Sequence, residues 1–186
     1  MSSSKPSTSN ERSPEPRVFL RRFRARDCDE YTALARGSIA FHKGLVRPPR
    51  TSAQFDVFLT NSRKKSNLFH AVCLRDSCAI IGAMNLSQIF YGNLCSAYLG
   101  YLIGAAHAGQ GLMREAIPLV LEHAFTTLKL HRVEANIQPG NIASIKLVRR
   151  AGFSKEGFSR RYLRIDGSWC DHERWAIVID DWRALA

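Results

Sequence analysis

Two glycines one residue apart, Gly109 and Gly111, stand between an apolar run near residues 97–103 and a stretch, residues 109–130, in which Leu112, Ala116, Val120, Ala124 and Leu128 recur at every fourth place. That recurrence is the period of a helix lying on a core, while the run before it reads as a strand. Glycine at both positions lets the chain turn tightly with its amides pointing one way. The helix that starts there adds unpaired N–H groups and the positive end of its dipole. A turn of this kind is either a tight connection or a site for an anion such as a pyrophosphate. It is not a Walker loop, because no Gly-Lys-Ser/Thr follows. Nor is it Gly-x-Gly-x-x-Gly, because position 114 is Arg.

The other elements fall around this turn. Residues 18–23 read as a first strand, and Asp27 is placed to cap a helix reaching about Ile39. Residues 42–50 carry Gly44, Pro48 and Pro49 and read as a loop. Thr51 with Gln54 resembles a capping box for a helix over residues 52–62. Two strands, residues 68–75 and 79–87, meet at Asp76–Ser77. A short strand covers 131–137, and Asn141 is placed to cap a helix ended by Gly152. Residues 161–165 and 168–178 make a hairpin around Asp166-Gly167, a type I′ signal. Pro118 sits near the start of the long helix, where it removes one early hydrogen bond. The order is mixed, so the fold class is α/β with a central sheet.

The Ser- and Pro-rich residues 1–16 lack the apolar content to offset ordering and are expected to form a disordered tail, leaving one domain over 17–186. No apolar run approaches the roughly 20 residues that span a bilayer, and no apolar stretch precedes Val18 as a secretory signal would, so a cytoplasmic location without membrane contact is expected. Five cysteines without CxxC spacing argue against a disulfide framework and against a zinc site; no metal is expected. The net charge is +11. In the tail Lys5 and Arg12 cancel Glu11 and Glu15, so all of the excess lies on the folded part. Such a charge suits a phosphate-rich cofactor, RNA at a ribosome, or solubility alone.

Taken together, several segments resemble the GCN5-related N-acetyltransferases. Gly109-Gln110-Gly111 matches the end of that family's Gln/Arg-x-x-Gly-x-Gly/Ala motif, with Ala106 at the Gln/Arg position. Asn141-Ile-Ala-Ser144 followed by Ala151-Gly152-Phe153 resembles the second half of its site. Tyr98-Leu-Gly-Tyr-Leu-Ile-Gly104, Gly111-Leu-Met113 and Ile165-Asp-Gly-Ser-Trp169 look like the RimJ-like branch that acetylates the N-terminal alanine of ribosomal proteins. The resemblance implies a mixed, mostly antiparallel sheet flanked by helices. It also implies acetyl-CoA as co-substrate and direct transfer to an amine without a covalent enzyme intermediate.

By that resemblance the amides of His107, Gly109, Gln110, Gly111, Leu112 and Met113 bind the pyrophosphate. The pantetheine lies along the strand ending at Leu102 and Ile103, where an N–H also holds the acetyl oxygen. Asn141 bonds the pantetheine arm or serves only as a helix cap. Ser144 faces the sulfur and aids the leaving thiolate, or is a plain early-helix serine. Lys146, Arg149, Arg150 and Lys155 attract phosphates or form a solvated basic face. Relatives place a glutamate base where this chain has Asn136 and a tyrosine acid where it has Val148. Glu134, on the face of Asn136 by the period of two, is then the first candidate base, or else the partner of an arginine. Glu156 is the second, and Tyr101 and His42 are candidates for the acceptor pocket.

The expected acceptor is the α-amine of a protein, ribosomal by resemblance, with a ribosome or RNA contact left open. A small amine (amino acid, antibiotic or polyamine) is the alternative enzyme reading, and a non-catalytic acyl-CoA or RNA-binding protein is a third class. The loop at 42–50 and the hairpin at 161–171 are basic rather than acidic, which disfavours polyamines. Monomer and homodimer are both open.

Overall fold

The computed structural model describes residues 15–185. Most of the expected tail, residues 1–14, lies outside the described residues. Seven strands form one sheet in the order β1-β2-β3-β4-β5-β7-β6. In chain order they are β1 (Val18–Arg22), β2 (Leu68–Leu74), β3 (Ile80–Phe90), β4 (Ser96–Ile103), β5 (Arg132–Ile137), β6 (Ser154–Ile165) and β7 (Ser168–Val178). Among the described residues only the central β4/β5 pair is parallel. The helices are α1 (Cys28–Gly37), α2 (Ile39–His42), α3 (Ser52–Ser62), α4 (Leu112–Glu122), α5 (Ile142–Arg150) and α6 (Ile179–Arg183). This is the mixed, mostly antiparallel α/β sheet that the resemblance implied.

The sheet separates two cores. On one face Leu112, Met113, Ala116, Ile117, Val120 and Leu121 of α4 pack with Val148 of α5 onto Val133, Ala135 and Ile137 of β5. On the other face Tyr31 of α1 and Phe55 and Phe58 of α3 pack with Phe23 as a cluster of rings. Burying large apolar side chains from both faces is what holds a helix–sheet–helix stack together. Among the described residues no helix is long and apolar enough to cross a membrane.

Several local readings change. Asp27 does not cap α1. Its carboxylate turns back to accept the Arg24 amide at 2.7 Å and pairs with the Arg21 guanidinium at 2.7 Å, because a nearly buried charge needs a cation more than the helix end needs a cap. Thr51 does cap α3, but Gln54 returns its side-chain oxygen to the Arg50 amide instead of closing the box on Thr51. The helix after Gly111 keeps α register only to Glu122 and continues as a π turn over His123–Thr127, with Pro118 seven residues in rather than near its start. β6 begins at Ser154, seven residues earlier than its apolar pattern suggested. The hairpin turn has Asp166 and Gly167 both at positive φ, as a type I′ turn requires.

The π turn sets His123 against His70 of β2, rings 5.7 Å apart and near-perpendicular. Burial, with His123 and Arg22 beside it, pushes the His70 imidazole down to about 4. The folded chain therefore keeps His70 neutral where the unfolded chain protonates it near 6.5. Stability is complete above about pH 6.5 and is lost as pH falls from there toward 4. His70→Gln is expected to flatten this decline. Thermal melts of both proteins at pH 7.5, 6 and 5 check it, with the larger drop expected in the parent.

Candidate active site

β4 and β5 run together for three residue pairs only: Ser96 with Arg132, Ala97 with Val133 and Tyr98 with Glu134. Beyond these each strand keeps its outer neighbour. β4 stays on β3 as far as Ile103, and β5 stays on β7 as far as Ile137. The inner edges separate, so residues 99–103 present main-chain groups to a gap rather than to a strand. A groove of about 820 Å³ occupies this gap. It is floored by residues 99–103 of β4 and 135–138 after the split in β5, and its ends reach the starts of α4 and α5.

At one end is the glycine turn. Gly109 (φ 77°) and Gly111 (φ 80°) are both left-handed, and Gly111 is the N-cap of α4. Arg17 braces the turn from behind: Nη2 donates to the Gln110 carbonyl at 2.8 Å, and Nε donates to Glu115 of the first α4 turn at 2.8 Å. His107, Gly109, Gly111, Leu112 and Met113 line the groove together with the cations Arg114, Lys146 and Arg150. Gln110 is not in the lining; its side chain folds back to the Ala106 carbonyl at 3.0 Å. Asn141 and Ser144 line the groove from the head of α5, where Asn141 Oδ1 accepts the Ser144 amide at 3.2 Å. Leu102 and Ile103 lie on the open β4 edge.

The other end differs from the sequence expectation. Asn136 lines the groove, and its Oδ1 is buried with no hydrogen-bond partner. Glu134 shares its face but not its surroundings. Its carboxylate accepts Arg132 Nε at 2.9 Å, Arg132 also grips Glu156, and neither carboxylate is in the groove lining. Both candidate bases are therefore in an ion-paired cluster beside the site. The groove instead carries two buried histidines. His42 of α2 lies near the Ile103 carbonyl at 2.9 Å through Nε2, so that nitrogen donates and Nδ1 is left buried without a partner. Burial holds its pKa down, and Arg50 adds to the effect. His172 of β7 donates Nδ1–H to the Cys170 carbonyl at 2.9 Å, which leaves Nε2 as an acceptor. Asn136 pairs with Arg174, and His172 stands two residues beyond Arg174 on the same face. His172 is thus a diagonal neighbour of Asn136. No sequence spacing could reveal this, because it depends on the β5/β7 register.

Tyr101 completes the wall. Burial pushes its hydroxyl up to about 12, and that hydroxyl donates weakly to the Ser144 carbonyl at 3.5 Å. Two contacts hold the loop at 42–50: Gln138 Nε2 donates to the Gly44 carbonyl at 2.7 Å, and Arg47 pairs with Asp166 at the β6–β7 hairpin tip. Among the described residues no cluster of three metal-ligating side chains occurs.

Other proteins resemble this chain in sequence and in fold. The ribosomal-protein-uS5 alanine N-acetyltransferase of Escherichia coli is 42% identical over 107 residues, which is 58% of this chain and 55% of that protein. The chain spans about half the length of the curated relatives it matches. Mycobacterium smegmatis RimJ, solved in complex with CoA-disulfide, superposes with a TM-score of 0.81 at 27% identity, over 90% of this chain and 85% of its own. Spermidine N-acetyltransferase from Vibrio cholerae, solved with CoA and spermine, gives 0.77 at 21% identity over 90% and 98%, a likeness of fold. The acetyltransferase (GNAT) domain model matches residues 17–154, which carry the glycine turn, both diverging strands and α5. On that match the chain belongs to the GNAT acetyltransferase family.

Proposed function

We propose that this chain is an N-acetyltransferase that moves an acetyl group from acetyl-CoA to the α-amine of a protein or peptide. The observation that carries the acceptor class is the charge of the groove. Its described lining holds His42, Arg47, His107, Arg114, Lys146, Arg150 and His172, and no Asp or Glu. A polyamine brings several positive charges and would find no counter-charge in that lining. A peptide N-terminus can arrive neutral, because its pKa lies near 7.7–8.0, whereas a lysine amine near 10.4 remains protonated. The ribosomal-protein acceptor named for the E. coli relative is consistent with this class.

The groove suits an extended, phosphate-bearing thioester on its own geometry. The left-handed glycines and first α4 amides form an anion cradle. Arg114, Lys146 and Arg150 add charge, and the open β4 edge at 99–103 offers main-chain bonds to a pantetheine arm. Acetyl-CoA supplies the acetyl thioester. Asn136 Oδ1, buried without a partner, accepts an N–H of the incoming amine. His172 Nε2 takes the proton that the amine loses as it attacks. Ser144 offers its hydroxyl to the departing sulfur, and Tyr101, protonated at neutral pH, stands beside it. Glu134 and Glu156 stabilise β5 through Arg132 instead of acting as bases.

The acceptor is tested with two peptide sets. Peptides with a free N-terminal Ala or Ser and an acetylated lysine should react, and N-terminally blocked peptides with a free lysine should not. Rapid acetylation of a polyamine beside inert peptides would replace the proposal.

Acetyl-CoA at 100 times its Kd should raise stability by about 2.7 kcal/mol. In Gly111→Val this gain should vanish: φ 80° strains any branched residue, and the new side chain would crowd Arg17 Nη2, 3.5 Å from its Cβ, which braces the cradle. His172→Gln should lower kcat by roughly 100-fold at pH 7, with the loss shrinking toward pH 9 as the amine deprotonates unaided and with acetyl-CoA affinity unchanged. An equal loss in Glu134→Gln, at unchanged melting temperature, would return the base role to Glu134.

A further inference from the structure

Behind the acceptor end of the groove lies a second cavity of about 500 Å³. The two share Arg47, Pro48, Pro49, Phe58 and Phe69 as a common wall. Two arginines meet this wall, and they differ. Arg47 is already paired with Asp166. Arg50 faces the second cavity with no carboxylate partner among the described residues, and its Nε is buried without a hydrogen bond. Its main chain is fixed on both sides, because the amide donates to Gln54 and the carbonyl accepts from Arg36. Beside it are the side-chain amides of Gln54, Asn61 and Asn67, and no acidic residue lines this cavity either.

A guanidinium with a buried, unpaired N–H is costly to leave alone. Its planar fork matches a carboxylate, and Phe58, Phe69 and the two prolines give the same cavity apolar walls. We infer that the second cavity receives the carboxylate of an acidic residue that follows the reacting α-amine in the acceptor peptide, with Arg50 as its counter-ion. This rests on the proposed α-amine acetylation and adds a sequence preference to it: the N-terminal residue sits in the groove, and the chain runs past Pro48 and Pro49 into the second cavity. A basic residue at that place is repelled, so the enzyme selects acidic tails over basic ones.

The full chain is assayed against N-terminal-Ala peptides that carry Glu, Gln or Lys at the second, third or fourth position, with kcat/KM read for each. At one of these positions Glu should exceed Gln by about 10-fold or more, the size expected of one charged hydrogen bond, and Lys should fall below Gln. In Arg50→Gln the Glu-to-Gln ratio should collapse toward one, while Arg50→Lys keeps part of it. A ratio measured within one protein does not depend on how much of that protein is active. If Arg50→Gln does not fold, the parent's ratio at low and high salt replaces it, and the ratio should shrink with salt. Equal rates for Glu and Gln peptides overturn the inference and leave α-amine acetylation standing. Free glutamate or aspartate reacting in an Arg50-dependent way beside inert peptides overturns the peptide source and the proposed acceptor, and assigns the carboxylate to an amino acid. If neither peptides nor amino acids react, both proposals fall.

Discussion

β4 and β5 stay paired only as far as Tyr98 and Glu134, and the rest of the site is arranged around their separation. A parallel pair inside a sheet normally satisfies its main-chain groups in both directions. Here each strand satisfies them on its outer side only, β4 through β3 and β5 through β7. The inner edge of residues 99–103 thus lacks a partner strand, although His42 meets the Ile103 carbonyl, and unmet N–H and C=O groups there are expensive. Water or an extended ligand must meet that demand. The helices that follow the two strands, α4 and α5, both begin at the mouth of the gap, so their unpaired N–H groups face the same space. One topological feature thereby creates a strand-like berth with an anion cradle at its end.

The half of this arrangement that is local in sequence could be read from the sequence. Gly109 and Gly111 declare a left-handed turn because few other residues tolerate it. Asn141 and Thr51 declare helix starts because side-chain caps are short-range chemistry. The alternation Leu112, Ala116, Val120 declares a buried face. What escaped depends on tertiary partners. Asp27 was taken from its cap by Arg21 of β1, six residues earlier, a pairing that no cap spacing marks. Residues 154–160 hid as a strand because β6 is the sheet edge, with exposed polar residues in place of an apolar alternation. The π turn over His123–Thr127, where Phe125 packs against Trp182, leaves no mark in the apolar period.

The acceptor side shows the same division more sharply. Strand periodicity placed Glu134 on the face of Asn136, yet only Asn136 lines the groove, and Arg132 claims the Glu134 carboxylate. His172 enters the site only through the β5/β7 register. Its tautomer is set by a carbonyl two residues away, which is local, but its position opposite the groove is not. Arg50 likewise looked like one more basic residue in a basic loop. Its meaning comes from the contrast with Arg47, whose charge is met by Asp166. Charge in this groove is therefore distributed residue by residue: Arg114, Lys146 and Arg150 stand at the α4 and α5 ends, and His42, His172 and an orphaned amide oxygen stand at the other.

The account depends most directly on the open edge of β4. Amide hydrogen exchange of the full chain, with and without acetyl-CoA, measures that edge. Ligand should slow exchange within residues 99–103 and 107–113 and at the first turn of α5, while β1, β2 and β6 remain as they were. Unchanged exchange at 99–103 with bound acetyl-CoA, or protection concentrated elsewhere in the sheet, would contradict the placement of the site in the gap between β4 and β5.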